Sequence, residues 1–465
     1  MLRASYAKHF EDYQGATLEA LQHYADPHEK KLLRIHAMAE LIENGDVEDS
    51  RSLWVKSVLW KLKKNEWAKP GKKPRSIGDL GVGASLLGFR LTHFLKTAQA
   101  NEPVEINGGH MSFCKSPDPF ELERHFKNLI DPPGRFYLLY FSDDACLAIR
   151  NPRTKKVDRY NLDISSCDAS HGPGLFNELI CLMPDGPTKD DMTRLVKQCA
   201  APLRIYSCSG DKRERVVMRP TSPRLYSGST ITTGINNLAN LCIGLAISQL
   251  DYTGVLDNDG VCQEIVRAAA SAGYIITGAN PLEFIEDIQF LKNSPVLDIQ
   301  GNWRPLVNLG VFLRASGACN GDLPGTGPLR PRAEAFQRGL LKCTFPYASS
   351  ALIGILNKRL GTGPTLITKD VADSMWYKTR DNPNYPPFIA DDTSMYRRYG
   401  LDGVDVCELE YDFGSMGYGE HYHGPSVSKI LDKDYGLKTV QCDNSNYLFQ
   451  HHNAHFVPEL AASAG

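Results

Sequence analysis

The chain has 465 residues, enough for a large core or for two or three lobes. Its 52 basic residues balance 54 acidic ones, which excludes a globally basic nucleic-acid binder, so any such site has to be a local patch. No apolar run approaches a membrane span, the N-terminus lacks an apolar signal core, and the 12 cysteines are scattered without paired spacing, which reads as reduced thiols in a cytosolic protein.

A local basic patch does occur. Lys61 to Arg75, "KLKKNEWAKPGKKPR", carries seven basic side chains and one acid, Glu66. Pro70, Gly71 and Pro74 prevent a helix in its second half. A charge run by itself is a solvated loop. This one leads directly into the apolar, glycine-rich "SIGDLGVGASLLG", and a basic loop anchored to a core suits phosphates better than a free tail does.

"RFYLLYFSDDACLAIR", Arg135 to Arg150, reads as a hairpin: a strand over Phe136–Phe141, Ser142-Asp143-Asp144 as turn, and a second strand over Ala145–Ile149. As an isolated turn Ser-Asp-Asp is ordinary polar chemistry. Its carboxylates become a site only if a partner strand brings another. "VDRYNLDISSCDASHGPG" supplies a candidate, a strand ending near Asp163 followed by a loop with Asp168. Clustered carboxylates repel, and a hard divalent cation such as magnesium is their usual resolution.

Further on, "RIYSCSGDKRERVVMRP" reads as a hairpin turning at Ser209-Gly210-Asp211. In "YSGSTITTGINNLANLCIG" a Ser227-Gly228 loop feeds a helix through Thr232 and Asn236, with Leu238, Leu241, Cys242 and Leu245 on one face. A capped structural helix would show the same polar residues. "CQEIVRAAASAGYIITGANP" predicts a helix with Ile265, Ala268, Ala269 and Ala272 on one face, a stop at Gly273 and then a strand. From about 301 onward, helical stretches such as "PRAEAFQRGLLKC" alternate with Pro- and Gly-rich links.

Together these segments resemble the palm of viral RNA-dependent RNA polymerases. "DISSCD" resembles the family's motif A, "SGSTITTGIN" motif B, "FSDD" motif C, "KPGKKPRSI" the basic motif F, and "IQFLKNSP", Ile288 to Pro295, motif E. Motif C precedes A and B here, and this C-A-B order resembles the permuted palms of permutotetraviruses and birnaviruses, closer to the former because of the double Asp. Glu286-Asp287 in "FIEDIQF" is the unpermuted alternative for motif C.

The resemblance implies an α+β right-hand fold with an antiparallel palm sheet. Residues 1–135 would form the N-terminal region and fingers, 136–169 the palm with motifs C and A, and 170–222 a fingers insertion. The palm would resume over 223–300 with motifs B, D and E, and the thumb and C-terminal region would occupy 301–465. The implied activity is template-directed, two-metal nucleotidyl transfer from ribonucleoside triphosphates on viral RNA in the host cytoplasm, with Mg2+, or Mn2+ as substitute, held by Asp163, Asp143 and Asp144. Arg75 with Lys72 or Lys73 would bind the triphosphate, Asp168 and Asn236 the ribose hydroxyls. Ser227, Gly228 and Thr232 would lie by the substrate and template, and Lys69 and Lys292 would contact RNA. Template and product RNA are the implied partners, and other viral or host replication proteins are compatible. The family's motif D lysine has no match, Arg267 and Lys292 being the nearest substitutes.

Two alternatives stay open. "FSDD" also resembles the reverse transcriptase signature, against which Asp168 argues because those enzymes exclude the 2'-hydroxyl with a bulky residue. A viral RNA-binding protein without catalysis would need no converging carboxylates. His421, His423, His451, His452 and His455 lack the cysteine or acid of a standard zinc spacing and read as surface or RNA-contacting residues.

Overall fold

The computed structural model describes residues 2–15, 44, 57–62, 75–100, 104–209, 212–250, 254, 256–316, 327–344, 348–349, 358–367, 382–415 and 424–436. These form an α+β arrangement around two larger sheets. The strands used below are β1 (Val58–Leu62), β2 (Ser76–Asp79), β3 (Val104–Ile106), β4 (Gly109–Phe113), β5 (Phe136–Phe141), β6 (Asp144–Arg150), β7 (Val157–Ile164), β8 (Leu203–Ser209), β9 (Lys212–Met218), β10 (Ile276–Thr277), β11 (Asn293–Leu297) and β12 (Trp303–Val307).

The central sheet has six strands in the order β10-β7-β6-β5-β4-β3. The β5–β6 hairpin forms over the predicted residues, and β6 pairs antiparallel with β7. The sheet is mixed rather than antiparallel as expected, because β4 runs parallel to β5. The chain between them contains the Pro119–Ile130 helix, and a crossover of that length allows parallel pairing where a tight turn would not. Asp118 caps this helix, accepting from the Glu121 N–H while the Glu121 side chain returns to the Asp118 N–H.

Both faces of the sheet are covered, which is why "FYLLYF" is a continuous apolar run. Phe136, Leu138 and Tyr140 of β5, with Leu147 of β6 and Leu162 of β7, pack against the Thr232–Ser248 and Asn258–Ser271 helices through Ile235, Leu238 and Ile265. The opposite face presents Tyr137, Leu139, Cys146 and Ala148 to Leu122, Phe126 and Leu129 of the Pro119–Ile130 helix and to Ile288 and Phe290. On β7 burial alternates, so Asn161 and Asp163 share the face that carries Cys146.

The second sheet has the order β2-β1-β8-β9. β8 and β9 form the predicted hairpin, closing at Ser209 opposite Lys212. The β1–β2 pair is antiparallel, with Leu62 opposite Ser76. Two helices not expected from the sequence, Pro173–Leu182 and Pro187–Gln198, precede β8, and their Phe176, Leu179, Met192 and Leu195 join the same core as the central sheet.

A further core begins at the β11–β12 hairpin and continues through the Leu309–Ser316, Leu329–Thr344, Asp392–Arg397 and Pro425–Tyr435 helices. That hairpin straddles the boundary expected at residue 300. Arg398 joins this part to the segment under the central sheet: it donates to the carbonyls of Glu286 and Asp287, both at 3.1 Å, and pairs with the buried Asp434 at 3.0 Å. Among the described residues no helix is long and apolar enough to cross a membrane, and the described cysteines are free thiols.

Candidate functional site

The carboxylates meet at one end of the central sheet. The β5–β6 turn is two residues long, Ser142 and Asp143, and Ser142 takes φ 54, the geometry of a primed hairpin turn. Asp144 is thereby the first residue of β6, directly opposite Asp163 of β7. Directly opposed residues share a face, with Cβ atoms about 5 Å apart. The resemblance implies a cluster of Asp163, Asp143 and Asp144; the register sets Asp144 across from Asp163, with Asp143 exposed at the adjoining tip.

Burial and neighbouring charge together perturb Asp144. Burial, and then the Asp143 and Asp163 charges, push its carboxyl up to about 7, while Lys292 offsets part of the effect. The thiol of Cys167 is raised to about 12, first by burial and then by Asp143, Asp168 and Asp163, so those carboxylates act on one small region. Among the described residues no three His, Cys, Asp or Glu side chains converge closely enough to hold a metal ion as they stand. The donor set itself, three carboxylates with excess negative charge, fits a hard divalent cation.

The turn is clamped from the Thr232–Ser248 helix. Asn237 Oδ1 accepts from the Ser142 N–H at 2.7 Å, and Asn240 Nδ2 donates to the Ser142 carbonyl at 2.6 Å. Asn237 is held in turn by Gln99, to whose Oε1 it donates at 2.9 Å. Neither Asn237 nor Asn240 is among the site residues expected from the sequence. Their signal is compositional, since amides on a helix buried almost all round need partners.

Asp168 and Asn236 come together: Asn236 Nδ2 donates to Asp168 Oδ1 at 3.2 Å. Asn236 lies one turn inside its helix, which starts at Thr232. Buried His171 sits on the far side of the amide, its Nε2 2.7 Å from Asn236 Oδ1 and its Nδ1 3.0 Å from the Tyr274 hydroxyl. Neither residue was singled out from the sequence.

No protein-family model matches the chain.

The Ser227-Gly228 loop packs backbone to backbone on the second sheet. The Gly78 N–H donates to the Ser227 carbonyl at 2.9 Å, and Gly228 has φ 102 with the Gly78 carbonyl against its α-carbon. Thr232, expected near substrate, turns its hydroxyl into the loop, donating to the carbonyls of Tyr226 and Ser229 at 3.0 and 2.8 Å. Arg75 is exposed and directly precedes β2, the strand whose Gly78 carries this loop. Lys69, Lys72 and Lys73, and the five C-terminal histidines, lie outside the described residues.

Lys292 sits in a tight turn with Leu291, both at positive φ, closed by the Phe290–Asn293 bridge. Asn161 of β7 sets this segment beneath the sheet by donating to the Asp287 carbonyl at 2.8 Å and accepting from the Gln289 N–H at 3.1 Å. The Lys292 ammonium donates to the Asp434 carbonyl and lies 4.6 Å from the Tyr435 ring centroid, so it meets the end of the Pro425–Tyr435 helix while acting electrostatically on Asp144. The unpermuted alternative is buried and engaged elsewhere. Glu286 accepts from Ser394 at 2.7 Å and pairs with Arg397, and Asp287 pairs with Lys433 at 2.6 Å.

Proposed function

We propose that the protein is an RNA-dependent RNA polymerase of the right-hand type with permuted palm motifs, replicating viral RNA from ribonucleoside triphosphates in the host cytoplasm. The observation that carries this reading is the register that sets Asp144 opposite Asp163, with Asp143 at the adjoining tip. Residues distant in sequence thus bring carboxylates to one sheet end, beside the Asp168–Asn236 pair.

In this reading Asp143 and Asp163 hold divalent cations, Mg2+ or in its place Mn2+, and Asp144 supports them. Bound there, such ions would neutralise the charge of the triphosphate and of the attacking and leaving oxygens. Asp168 and Asn236 present an acceptor and a donor to the sugar hydroxyls. Arg75, with Lys72 or Lys73 from the same basic connection, neutralises charge developing on the triphosphate. The Asn237 and Asn240 clamp fixes the height of the carboxylate turn relative to the helix that carries Asn236, so metal ligands and sugar contacts keep one geometry.

The test is template-directed extension with Mg2+ or Mn2+, comparing ribo- and deoxyribonucleotides. Strong preference for ribonucleotides is the expected result, because a site that hydrogen-bonds a hydroxyl leaves its own groups unpaired with an analogue lacking it. Preference for deoxyribonucleotides would make it a reverse transcriptase. RNA binding without incorporation would favour a non-catalytic protein.

A further inference from the structure

His171 is buried, borders no proposed metal ligand, and has both ring nitrogens engaged. Which way the Asn236 amide faces is decided by its neighbours. Flipped, it would set its oxygen against the Asp168 carboxylate, acceptor to acceptor. As placed, its Nδ2 donates to Asp168 and its Oδ1 has to receive a proton from His171 Nε2. Burial lowers the His171 pKa, so the ring is neutral with its proton on Nε2. Nδ1 is then an acceptor, and the Tyr274 hydroxyl, 3.0 Å away, is its donor. A one-way chain results: Tyr274 to His171, His171 to Asn236, Asn236 to Asp168.

We infer that His171 and Tyr274 are positioning residues for sugar selection, fixing the Asn236 amide with its NH2 toward Asp168 and the incoming ribose. This rests on the ribose-binding reading of Asn236 and Asp168. The chain also connects the sugar site to the end of the Asn258–Ser271 helix, since Tyr274 follows the Gly273 stop and lies two residues before β10, the neighbour of β7. Movement of that segment would alter the sugar site through one phenol oxygen.

Incorporation of a ribonucleotide and of its deoxy counterpart by the full-length chain on a defined template tests this. Tyr274→Phe removes a single oxygen and frees the other tautomer. It should lower the ribo-to-deoxyribo ratio about threefold to tenfold, the worth of one hydrogen bond, through a higher ribonucleotide KM with deoxyribonucleotide use unchanged. His171→Phe should lower the ratio as far as Asn236→Ala does, with no further fall when the two are combined. His171→Gln, whose side-chain amide replaces the Nε2–H donor, should restore most of it. A purely structural role would depress both nucleotides alike. Wild-type ratios in Tyr274→Phe and His171→Phe, alongside a reduced ratio in Asn236→Ala, would overturn the positioning role and leave the ribose contact standing. An unchanged ratio in Asn236→Ala itself would remove the ribose contact and this inference together. If His171→Phe fails to fold, Tyr274→Phe decides.

Discussion

Gly228→Ala perturbs the point where the loop before the Thr232–Ser248 helix rests on β2. A Cβ at Gly228 would stand 2.4 Å from the Gly78 carbonyl oxygen, and the residue's φ is 102, outside what L side chains readily adopt. The Gly78 N–H is already committed to the Ser227 carbonyl at 2.9 Å, so the clash is with a backbone that cannot rotate out of the way. The conformational cost is about 1–3 kcal/mol. Overpacking adds about 1–3 kcal/mol. The sum, about 2–6 kcal/mol, is a large fraction of an ordinary folding free energy of about 5–15 kcal/mol. The loop has two ways to respond, and each is measurable. Either it stays and denaturant midpoints fall, or it lifts from β2 and nucleotide incorporation falls with Arg75 and the helix start displaced. Gly174→Ala is the control, because a Cβ there meets nothing within 4 Å and alanine is the better helix former. Denaturation and extension measured side by side decide it. A Gly228→Ala protein matching the wild type in both would refute the close backbone contact.

Asp144→Asn should stabilise the protein at pH 8 in metal-free buffer. Between 3.8 and about 7 the folded chain holds a proton on Asp144 that the unfolded chain has released, so wild-type stability falls as pH rises through that window. The displacement caps the gain at about 4 kcal/mol, and solvent at the half-buried site lowers it to about 1–3 kcal/mol. Denaturation curves across pH should show the gain vanishing below the lower limit; a gain independent of pH would mean that ionisation of Asp144 is not its source. Arg398→Ala leaves Asp434 buried without its cation and should cost about 3–5 kcal/mol, with unfolding read both at the C-terminal core and at the central sheet. A loss under about 1 kcal/mol would contradict the role of Arg398 as the tie between them.

The hairpin over Phe136–Arg150 was legible because aromatic and β-favouring runs on either side of a polar turn have few other solutions, and Asp143 falls at its tip for the same reason. The Asp163 strand and the Gly273 stop were legible by period and by backbone freedom. What stayed hidden depends on partners far along the chain. The choice between Asp143 and Asp144 as the neighbour of Asp163 is a matter of register, and a shift of one residue exchanges the two. The resemblance implies an RNA contact for Lys292, but its direction is set by the end of the Pro425–Tyr435 helix. The parallel β4–β5 pairing required knowing that the Pro119–Ile130 helix crosses over the sheet. Asn237, Asn240 and His171 carried a weak signal, polar residues in apolar surroundings, whose meaning appears only when Ser142 and Asn236 are set beside them.

In the proposed function the β5–β6 tip and the end of β7 form the metal-holding carboxylate site of a polymerase. Ribonucleotide incorporation on a defined RNA template by Asp143→Ala and Asp163→Ala, each checked for folding and for RNA binding, tests it most directly. Incorporation should be abolished in both while folding and RNA affinity persist. Robust synthesis by Asp143→Ala would contradict the permuted site and return attention to Glu286 and Asp287, despite their burial and ion pairing.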